Sequence, residues 1–312
     1  MSYASAIEPL RAANSLAGRS LYAWRHISID GAPVLASNGV EIKADHSIAD
    51  DVRLDTVFVC AGGNPTTFRH QPTLRWLRRL ARARVRIGGV SGGPYVLARA
   101  GVLNGHRCTI HWEHMPAFIE EFPELAVTRS LYVIDRDRLT SSGGISALDM
   151  MHALIEQDHG HDLAAAVSEW FLHTEVRLGS GPQRMSARER FDVSNRRLLR
   201  ALEYMDAHVE EPADRAKLSA VAGVSVRQLE RLFVTHLGST INAHYLRIRL
   251  DRARNLLRQT AQPVLAIAVS TGFTTASHFS RAYRRAFGLS PKAERARQPK
   301  RNSQIIQPNW GN

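Results

Sequence analysis

The amino-acid sequence predicts two domains of different class: an α/β domain over residues 1–178 and an all-α domain over residues 195–297. Strand-like and helix-like segments alternate in the first range, whereas the second range shows only helical periodicity. Residues 1–185 hold 19 basic and 19 acidic side chains, while residues 186–312 hold 22 basic and 10 acidic ones. The net charge of +12 therefore lies in residues 186–312, the part of the chain that contains the second domain, and we expect this part to bind a polyanion.

The chain begins with helical sequence rather than with the buried strand that normally opens an α/β domain with a mostly parallel sheet. Ala6, Leu10 and Ala13 form the apolar face of this first helix. The first strand of the sheet is thus predicted to be missing, and the sheet is expected to have an exposed edge.

The rest of the first domain alternates between strands and helices, as a parallel sheet requires. Predicted strands cover residues 56–60, 85–90 and 131–135, and predicted helices cover residues 70–83, 94–100, 145–158 and 162–175. A segment with Gly and Pro but no apolar periodicity follows, so residues 179–194 are predicted to be a linker. The polar tail over residues 298–312 is predicted to be disordered.

The second domain contains an internal repeat. From Leu229 in the first copy and Phe279 in the second, equivalent residues of the two copies are 50 positions apart. The first copy contains Gly223, Ser225, Leu229, Arg231, Phe233, Leu237 and Gly238. The second copy contains Gly272, Thr274, Phe279, Arg281, Tyr283, Phe287 and Gly288. In each copy a short apolar helix and a glycine turn precede a longer helix with a hydroxyl N-cap, which is Ser225 in the first copy and Thr274 or Thr275 in the second. This is the pattern of a helix-turn-helix unit.

Each longer helix buries two large side chains four residues apart and presents polar side chains on the opposite face. The exposed positions carry residue types that reach base edges and phosphates in a major groove: Arg227, Gln228, Arg231, Ser277, His278 and Arg281. A helix over residues 241–257, about 25 Å long, separates the two copies, so both could enter successive major grooves about 34 Å apart. Arg252 and Arg254 on that helix are expected to contact phosphates.

These segments resemble the AraC-type regulator family. Residues 222–233 resemble the first helix-turn-helix of that family, and residues 272–291 resemble the second, including the Gly-x-Ser-Pro end. The resemblance implies binding to double-stranded promoter DNA and activation of neighbouring genes, with RNA polymerase as a further partner. The base-facing positions that it implies are Arg227, Gln228, Glu230, Arg231, Ser277, His278 and Arg281. Because Ala276 and Ser277 are short, we expect the second unit to depend on His278 and Arg281.

A glycine-rich segment at residues 88–93 lies between a predicted strand and a predicted helix, where a nucleophile elbow would place Ser91. A serine nucleophile also needs a histidine base and an acid, and the candidates are His111 or His114 with Glu113. Glycine-rich strand ends also occur in α/β folds for backbone packing alone. An amidase or hydrolase with a nucleic-acid-binding tether is therefore the alternative to a regulator.

The first domain also resembles a known family. Residues 60–63, the Ser91 segment and residues 141–149 resemble a class-I glutamine-amidotransferase-like (PfpI-type) domain, which is flavodoxin-like and precedes an AraC-type domain in one regulator subfamily. Its catalytic relatives carry cysteine at the elbow, where this chain has Ser91, so the resemblance implies a sensor without catalytic residues rather than an enzyme.

Residues 107–114 resemble regulators that respond to quaternary amines or to arginine. Trp112 could face a cation whose charge Glu113 balances. The same two residues could equally be a core aromatic ring and an acid at a helix N-terminus, and the sequence leaves both interpretations open. The ligand-binding residues implied by these resemblances are Gly62, Gly63, Ser91, His111, Trp112 and Glu113.

Several classes of protein are excluded by the sequence. No apolar run of 18 residues and no signal-peptide pattern is present, so we expect no membrane association and a cytoplasmic location. Two cysteines, Cys60 and Cys108, are too few for a disulfide framework or a zinc site. His111 and His114 have no third ligand at a suitable spacing, so neither a metal nor a cofactor is predicted. The sequence allows a homodimer but does not decide whether one forms.

Overall fold

The computed structural model describes residues 1–260 and 262–296, and the chain divides into two compact units between Arg184 and Met185. The tail predicted to be disordered, residues 298–312, lies outside the described residues. Within the described ranges, no helix combines the length and the apolar character needed to cross a membrane.

The first unit is an α/β fold. Its strands are β1 (Ile27–Ser28), β2 (Val34–Leu35), β3 (Glu41–Ile42), β4 (His46–Ser47), β5 (Thr56–Ala61), β6 (Arg86–Ser91), β7 (Arg107–Cys108), β8 (Ala126–Val127), β9 (Tyr132–Asp135) and β10 (Arg138–Ser141). Its helices are α1 (Ser2–Ala17), α2 (Gln71–Arg82), α3 (Gly93–Arg99), α4 (Met115–Glu121), α5 (Ser146–His159) and α6 (His161–Trp170), with a single 3₁₀ turn at Pro65–Thr67.

The central sheet has four strands in the order β5-β6-β10-β9. The first three strands are parallel, and β9 pairs antiparallel with β10, so the predicted mostly parallel sheet is confirmed. The remaining strands form three separate two-stranded pairs. In the described part of the chain, no strand pairs with the outer edge of β5.

Helices cover both faces of the sheet, so this unit has three layers. On one face, α2 and α3 pack against β5 and β6 around a core that includes Leu77, Ile87 and Leu97. On the other face, α1 and α5 pack around Val90 and Leu139. Helix α6 packs against α1 and α5 and extends this second layer. The sheet therefore holds its strand ends at fixed positions between two apolar layers.

The short strands β1 to β4, β7 and β8 and helix α4 were not predicted, and two further differences from the sequence prediction have a local physical reason. Strand β10 was not predicted, because it has only four residues and its Arg138, Thr140 and Ser141 are polar although buried. The guanidinium of Arg138 is accommodated by a hydrogen bond to the carbonyl of Val102 (2.7 Å). Helix α6 ends at Trp170 rather than near residue 175, because Leu172 takes a left-handed conformation with φ of 54°.

The second unit is all-helical, as predicted. It contains α7 (Ala187–Phe191), α8 (Arg196–Ala207), α9 (Arg215–Ala222), α10 (Val226–Leu237), α11 (Ile241–Gln259), α12 (Val264–Ser270), α13 (Ala276–Phe287) and α14 (Pro291–Ala296). Two apolar cores form around the two halves of α11. Tyr245 belongs to a first core with α8, α9 and α10, and Leu257 belongs to a second core with α12 and α13.

The range expected to be a linker, residues 179–194, is ordered over much of its length. Gly179 accepts a hydrogen bond from the backbone N–H of Leu131 (2.7 Å) through its carbonyl oxygen. Further on, Ser186 and Glu189 form a reciprocal capping box that starts α7. These contacts, which a Gly- and Pro-rich composition does not reveal, give local structure to the part of the segment that lies in each unit.

Candidate nucleic-acid interface and ligand site

The first helix-turn-helix unit is formed by α9 and α10. Helix α9 ends at Ala222, and Gly223 caps it in a left-handed conformation with φ of 67°. Ser225 then caps α10: its hydroxyl accepts from the backbone N–H of Gln228, and the Gln228 side chain accepts from the backbone N–H of Ser225. Leu229 and Phe233 are fully buried, so the opposite face of α10 is turned to solvent. The predicted N-cap and buried pair are confirmed.

The second helix-turn-helix, formed by α12 and α13, repeats this construction. Gly272 has φ of 77° in the turn. Of the two threonines offered by the sequence, Thr275 is the N-cap, because its hydroxyl accepts from the backbone N–H of His278 (3.2 Å). Phe279 and Tyr283 are fully buried at the positions equivalent to the buried pair of α10. Both long helices therefore turn the same face outward.

The outward faces carry most of the predicted base-reading side chains. Arg227 and Arg231 on α10, and Ser277, His278 and Arg281 on α13, are all exposed. The His278 ring also rests edge-on against the Phe273 ring, with centroids 5.5 Å apart.

Arg284 and Arg285 are also exposed on the outward side of α13, and sequence reasoning did not single them out. They lie three and four residues after Arg281, a spacing that places side chains on one helix face. The helical spacing could have identified them.

Two of the predicted readers are engaged inside the fold. The side-chain carbonyl of Gln228 is used in the capping box of α10. The carboxylate of Glu230 accepts from the backbone N–H of Ile241 (3.3 Å), at the start of α11, and lies 3.5 Å from the Arg215 guanidinium. Gln228 thus fixes the start of α10, and Glu230 joins α10 to the start of α11.

The two arginines expected to reach phosphate lie on α11. Arg254 donates through Nε to Glu294 (3.2 Å), and its guanidinium lies 4.5 Å from the centroid of the Phe287 ring. These contacts hold the partly exposed guanidinium of Arg254 against α13 and α14. Arg252 is partly buried on the same helix.

Glu294 is the centre of a buried ionic cluster that joins α14 to α11 and α13. It is only 3% exposed and accepts hydrogen bonds from Arg254, Arg258 and the hydroxyl of Tyr283. Burial by itself raises the pKa of Glu294, but hydrogen bonds from Arg258 and Tyr283 and the charges of both arginines outweigh it and lower the pKa. The carboxylate form therefore stabilises the folded unit.

We expect Glu294→Gln to lower the free energy of unfolding of the C-terminal unit by about 1.5 kcal/mol at neutral pH. Because the folded-state pKa is depressed, this contribution is present above the ordinary glutamate pKa and is lost as the pH falls through the folded-state value. The difference between wild type and variant should therefore shrink below about pH 4. Thermal unfolding across a pH series checks this, and a difference that stays constant on acidification would contradict it.

The predicted elbow is present at the carboxyl end of β6. Ser91 itself carries the strained backbone, with φ of 61°. Ala61 pairs with Ser91 across the strands, and its carbonyl accepts from the backbone N–H of Gly92 (2.9 Å), so Gly62 and Gly63 follow directly beside the elbow. Among the described residues, no histidine forms a hydrogen bond with the Ser91 hydroxyl, so the base that a serine nucleophile needs is not paired with it.

His111, Trp112 and Glu113 lie together in a loop between β7 and α4. The Nδ1 atom of His111 is 3.8 Å from the Glu113 carboxylate, and the rings of His111 and Trp112 have centroids 5.7 Å apart. The guanidinium of Arg184 lies over the indole of Trp112, with Cζ 4.6 Å from the ring centroid. Trp112 therefore does contact a cation, and that cation belongs to the chain itself.

The two histidines of this loop have pKa values below the ordinary histidine value. Burial lowers the pKa of His114 to about 4, with a smaller contribution from His111. Burial also lowers the pKa of His111, against the raising effect of Glu113. Within the described ranges, no three His, Cys, Asp or Glu side chains are grouped so that they could hold a metal ion.

Fold and site together define a two-unit DNA-binding protein in which two helix-turn-helix units follow an α/β domain. Family models match both parts: the DJ-1/PfpI family over residues 2–157 and a helix-turn-helix domain over residues 218–297.

Known proteins resemble the chain over nearly its whole length. It is 44% identical over 296 residues to the HTH-type transcriptional regulator CdhR of Pseudomonas aeruginosa, covering 95% of this chain and 88% of the relative. It is 45% identical over 298 residues to the HTH-type transcriptional regulator GlxA of Rhizobium meliloti, covering 95% and 92%. A solved AraC family transcriptional regulator from Pseudomonas putida matches with a TM-score of 0.50 and 32% identity, over 55% of this chain and 91% of that one.

The chain belongs to the family of HTH-type transcriptional regulators that join a DJ-1/PfpI domain to an AraC-type helix-turn-helix domain. It is a DNA-binding regulator of transcription, as the sequence predicted. The relatives are named as regulators and not as enzymes, which agrees with the prediction of a non-enzymatic first domain.

Proposed function

We propose that the chain reads promoter DNA with α10 and α13, through Arg227 and Arg231 in the first helix and His278 and Arg281 in the second. The observation that supports this most strongly is the matched exposure of Arg231 and Arg281 at equivalent positions of the repeat. Neither side chain forms a hydrogen bond or an ion pair with the described part of the chain. Both guanidinium groups are therefore available for bidentate contacts with guanine.

Selection of duplexes from a random DNA library, followed by fluorescence anisotropy with the selected and scrambled sequences, tests this function directly. We expect the full chain to prefer the selected duplex by at least about a thousandfold, as specific DNA-binding proteins do. Equal affinity for both duplexes would contradict sequence-specific regulation.

We propose that the exposed side chains of Arg284 and Arg285 contact DNA phosphates, since Arg254 is held by Glu294. We expect Arg284→Ala and Arg285→Ala each to reduce the slope of log affinity against log salt by about one unit, with equal effects on selected and scrambled duplexes. Arg254→Ala is the control: it should lower thermal stability and leave the slope unchanged. An unchanged slope in both α13 variants would contradict the assignment.

The first unit is proposed to bind a small metabolite, such as a quaternary amine or an amino acid, and thereby to control transcription. The loop with Trp112 supports an effector that carries an organic cation. Activation through RNA polymerase, a homodimer as the DNA-bound form, and a cytoplasmic location are parts of the same proposal. A transcription reporter in the presence and absence of candidate amines tests the effector, and output that ignores every amine and amino acid would contradict it.

A further inference from the structure

Trp112 and Arg184 form a cation–aromatic pair between two segments far apart in the sequence. The guanidinium of Arg184 lies 4.6 Å from the centroid of the indole ring, within the range of an attractive cation–π contact. Trp112 is only partly buried, so part of its side chain is within reach of solvent. Arg184 is also the last residue of the first unit, since the chain divides between Arg184 and Met185.

The segment that carries Arg184, residues 179–184, is fastened to the same loop by hydrogen bonds, and we call it the strap. Gln183 donates through Nε2 to the carbonyl oxygens of Ile110 (3.0 Å) and Ser130 (2.7 Å). At the other end of the strap, Gly179 accepts from the backbone N–H of Leu131 (2.7 Å). The strap is thus bonded to Ile110 in the Trp112 loop and to residues 130–131, which lead into β9.

The strap and the Trp112 loop each contain a buried polar atom without a hydrogen-bond partner among the described residues. Among the described residues, the side-chain oxygen of Gln183 and the Nδ1 atom of His114 are buried without a hydrogen-bond partner. His114 is 6% exposed and is neutral at physiological pH, so it does not compete for the aromatic face as a second cation. Buried polar atoms without partners are costly, and a ligand that supplies a partner gains affinity from them.

We propose that Trp112 is the cation-binding platform of the first unit, that Arg184 occupies it from within the chain, and that an effector with a guanidinium or alkylammonium group displaces Arg184. The effector thereby releases the strap. This inference rests on the proposed effector control and names its site and its chemistry. Because α7 begins only three residues after Arg184, release of the strap lengthens the tether to the DNA-binding unit. The effector signal would leave the first unit through this covalent connection.

Calorimetric titration of the full chain with guanidinium chloride and with tetramethylammonium chloride, each against matched sodium chloride, tests the platform. We expect Arg184→Gln to bind at least one of the two cations about tenfold more tightly than wild type, because the internal competitor is gone. Trp112→Leu should abolish binding in both backgrounds, and Trp112→Tyr should retain part of it. The two salts separate planar stacking from recognition of a quaternary ammonium.

Arg188→Gln is the matched control, since Arg188 is an exposed arginine four residues beyond the strap. It should leave the affinity for both cations unchanged. Equal cation affinity in wild type and Arg184→Gln would overturn the displacement, and binding that survives Trp112→Leu would overturn the platform. Thermal unfolding of every variant establishes that the first unit is folded.

Hydrogen exchange reports the release of the strap. The amide of Leu131, which is bonded to Gly179, should exchange about tenfold faster in Arg184→Gln and in wild type saturated with the bound cation. Unchanged exchange at this amide would overturn the release.

DNA binding measured on the same preparations distinguishes failure of the proposed function from failure of this inference. A chain that binds the cation and releases the strap but prefers no duplex would contradict the proposed function and leave this inference standing. A chain that prefers its selected duplex but gains no cation affinity in Arg184→Gln would do the reverse.

Discussion

Replacing Gly272 by alanine is expected to lower the free energy of unfolding of the C-terminal unit by about 3 kcal/mol, whereas the same replacement at Gly223 should cost about 1 kcal/mol. Both glycines lie in the turn of a helix-turn-helix unit, and both have a left-handed backbone, with φ of 77° and 67°. An alanine would therefore have the same conformational cost at either position. The expected difference comes from the space around the two turns.

At Gly272, a Cβ atom would lie 2.7 Å from the carbonyl oxygen of Val209 and 2.6 Å from a ring carbon of Pro212. These atoms belong to the backbone and to a rigid ring, so they cannot move aside without displacing the segment before α9. At Gly223, no atom lies within 4 Å of the same position. The turn of the second helix-turn-helix thus packs against the segment before α9, which explains why it tolerates no side chain.

Chemical denaturation of the full chain, followed by hydrogen exchange at amides of the C-terminal unit, measures both losses. The exchange data are needed because two units in one chain need not unfold together. Equal losses at the two glycines would show that the contact with Val209 and Pro212 contributes nothing. A Gly272→Ala loss below about 1 kcal/mol would contradict even the conformational term.

The repeat, its helix N-caps and its buried apolar pairs could be predicted from the sequence because each depends on residues that are close together in the chain. Ser225 and Thr275 cap their helices through residues three positions away, and Leu229 and Phe233 share one helix face. The close approach of Gly272 to Pro212 could not be predicted, because the two residues are 60 positions apart. A glycine in a turn looks the same in the sequence whether the space beside it is open or filled.

The roles of charged side chains were harder to predict for the same reason. Glu230 has the position of a base reader, yet its carboxylate accepts a hydrogen bond from Ile241 across the turn that follows α10. Arg254 has the position of a phosphate contact, yet Glu294, 40 residues later, holds it. An ion pair between distant residues leaves no periodic signal. Arg184 is a further case, since its aromatic partner lies 72 residues earlier in the chain.

The largest effect on function is expected from the paired arginines of α10 and α13. Arg231→Ala and Arg281→Ala should each weaken binding to the selected duplex by about 2 kcal/mol, or roughly thirtyfold, and weaken binding to scrambled DNA much less. A guanidinium that reads a base loses a bidentate contact on the cognate site alone, while a phosphate contact is lost on every sequence. Arg196→Ala is the control, because Arg196 is exposed on α8 and lies outside both recognition helices.

The double variant decides whether the two helices read the site together. The two arginines lie on helices that pack in different cores of the unit, and α11, a helix of 19 residues and about 28 Å, takes part in both cores. Contacts made this far apart should add, so the double variant should lose about 4 kcal/mol of specific binding. If either single variant removes the whole preference for the selected duplex, the helices do not act as separate readers. If the Arg281 change has no effect on any selected duplex, α13 only holds the phosphates, and sequence is read by α10 alone.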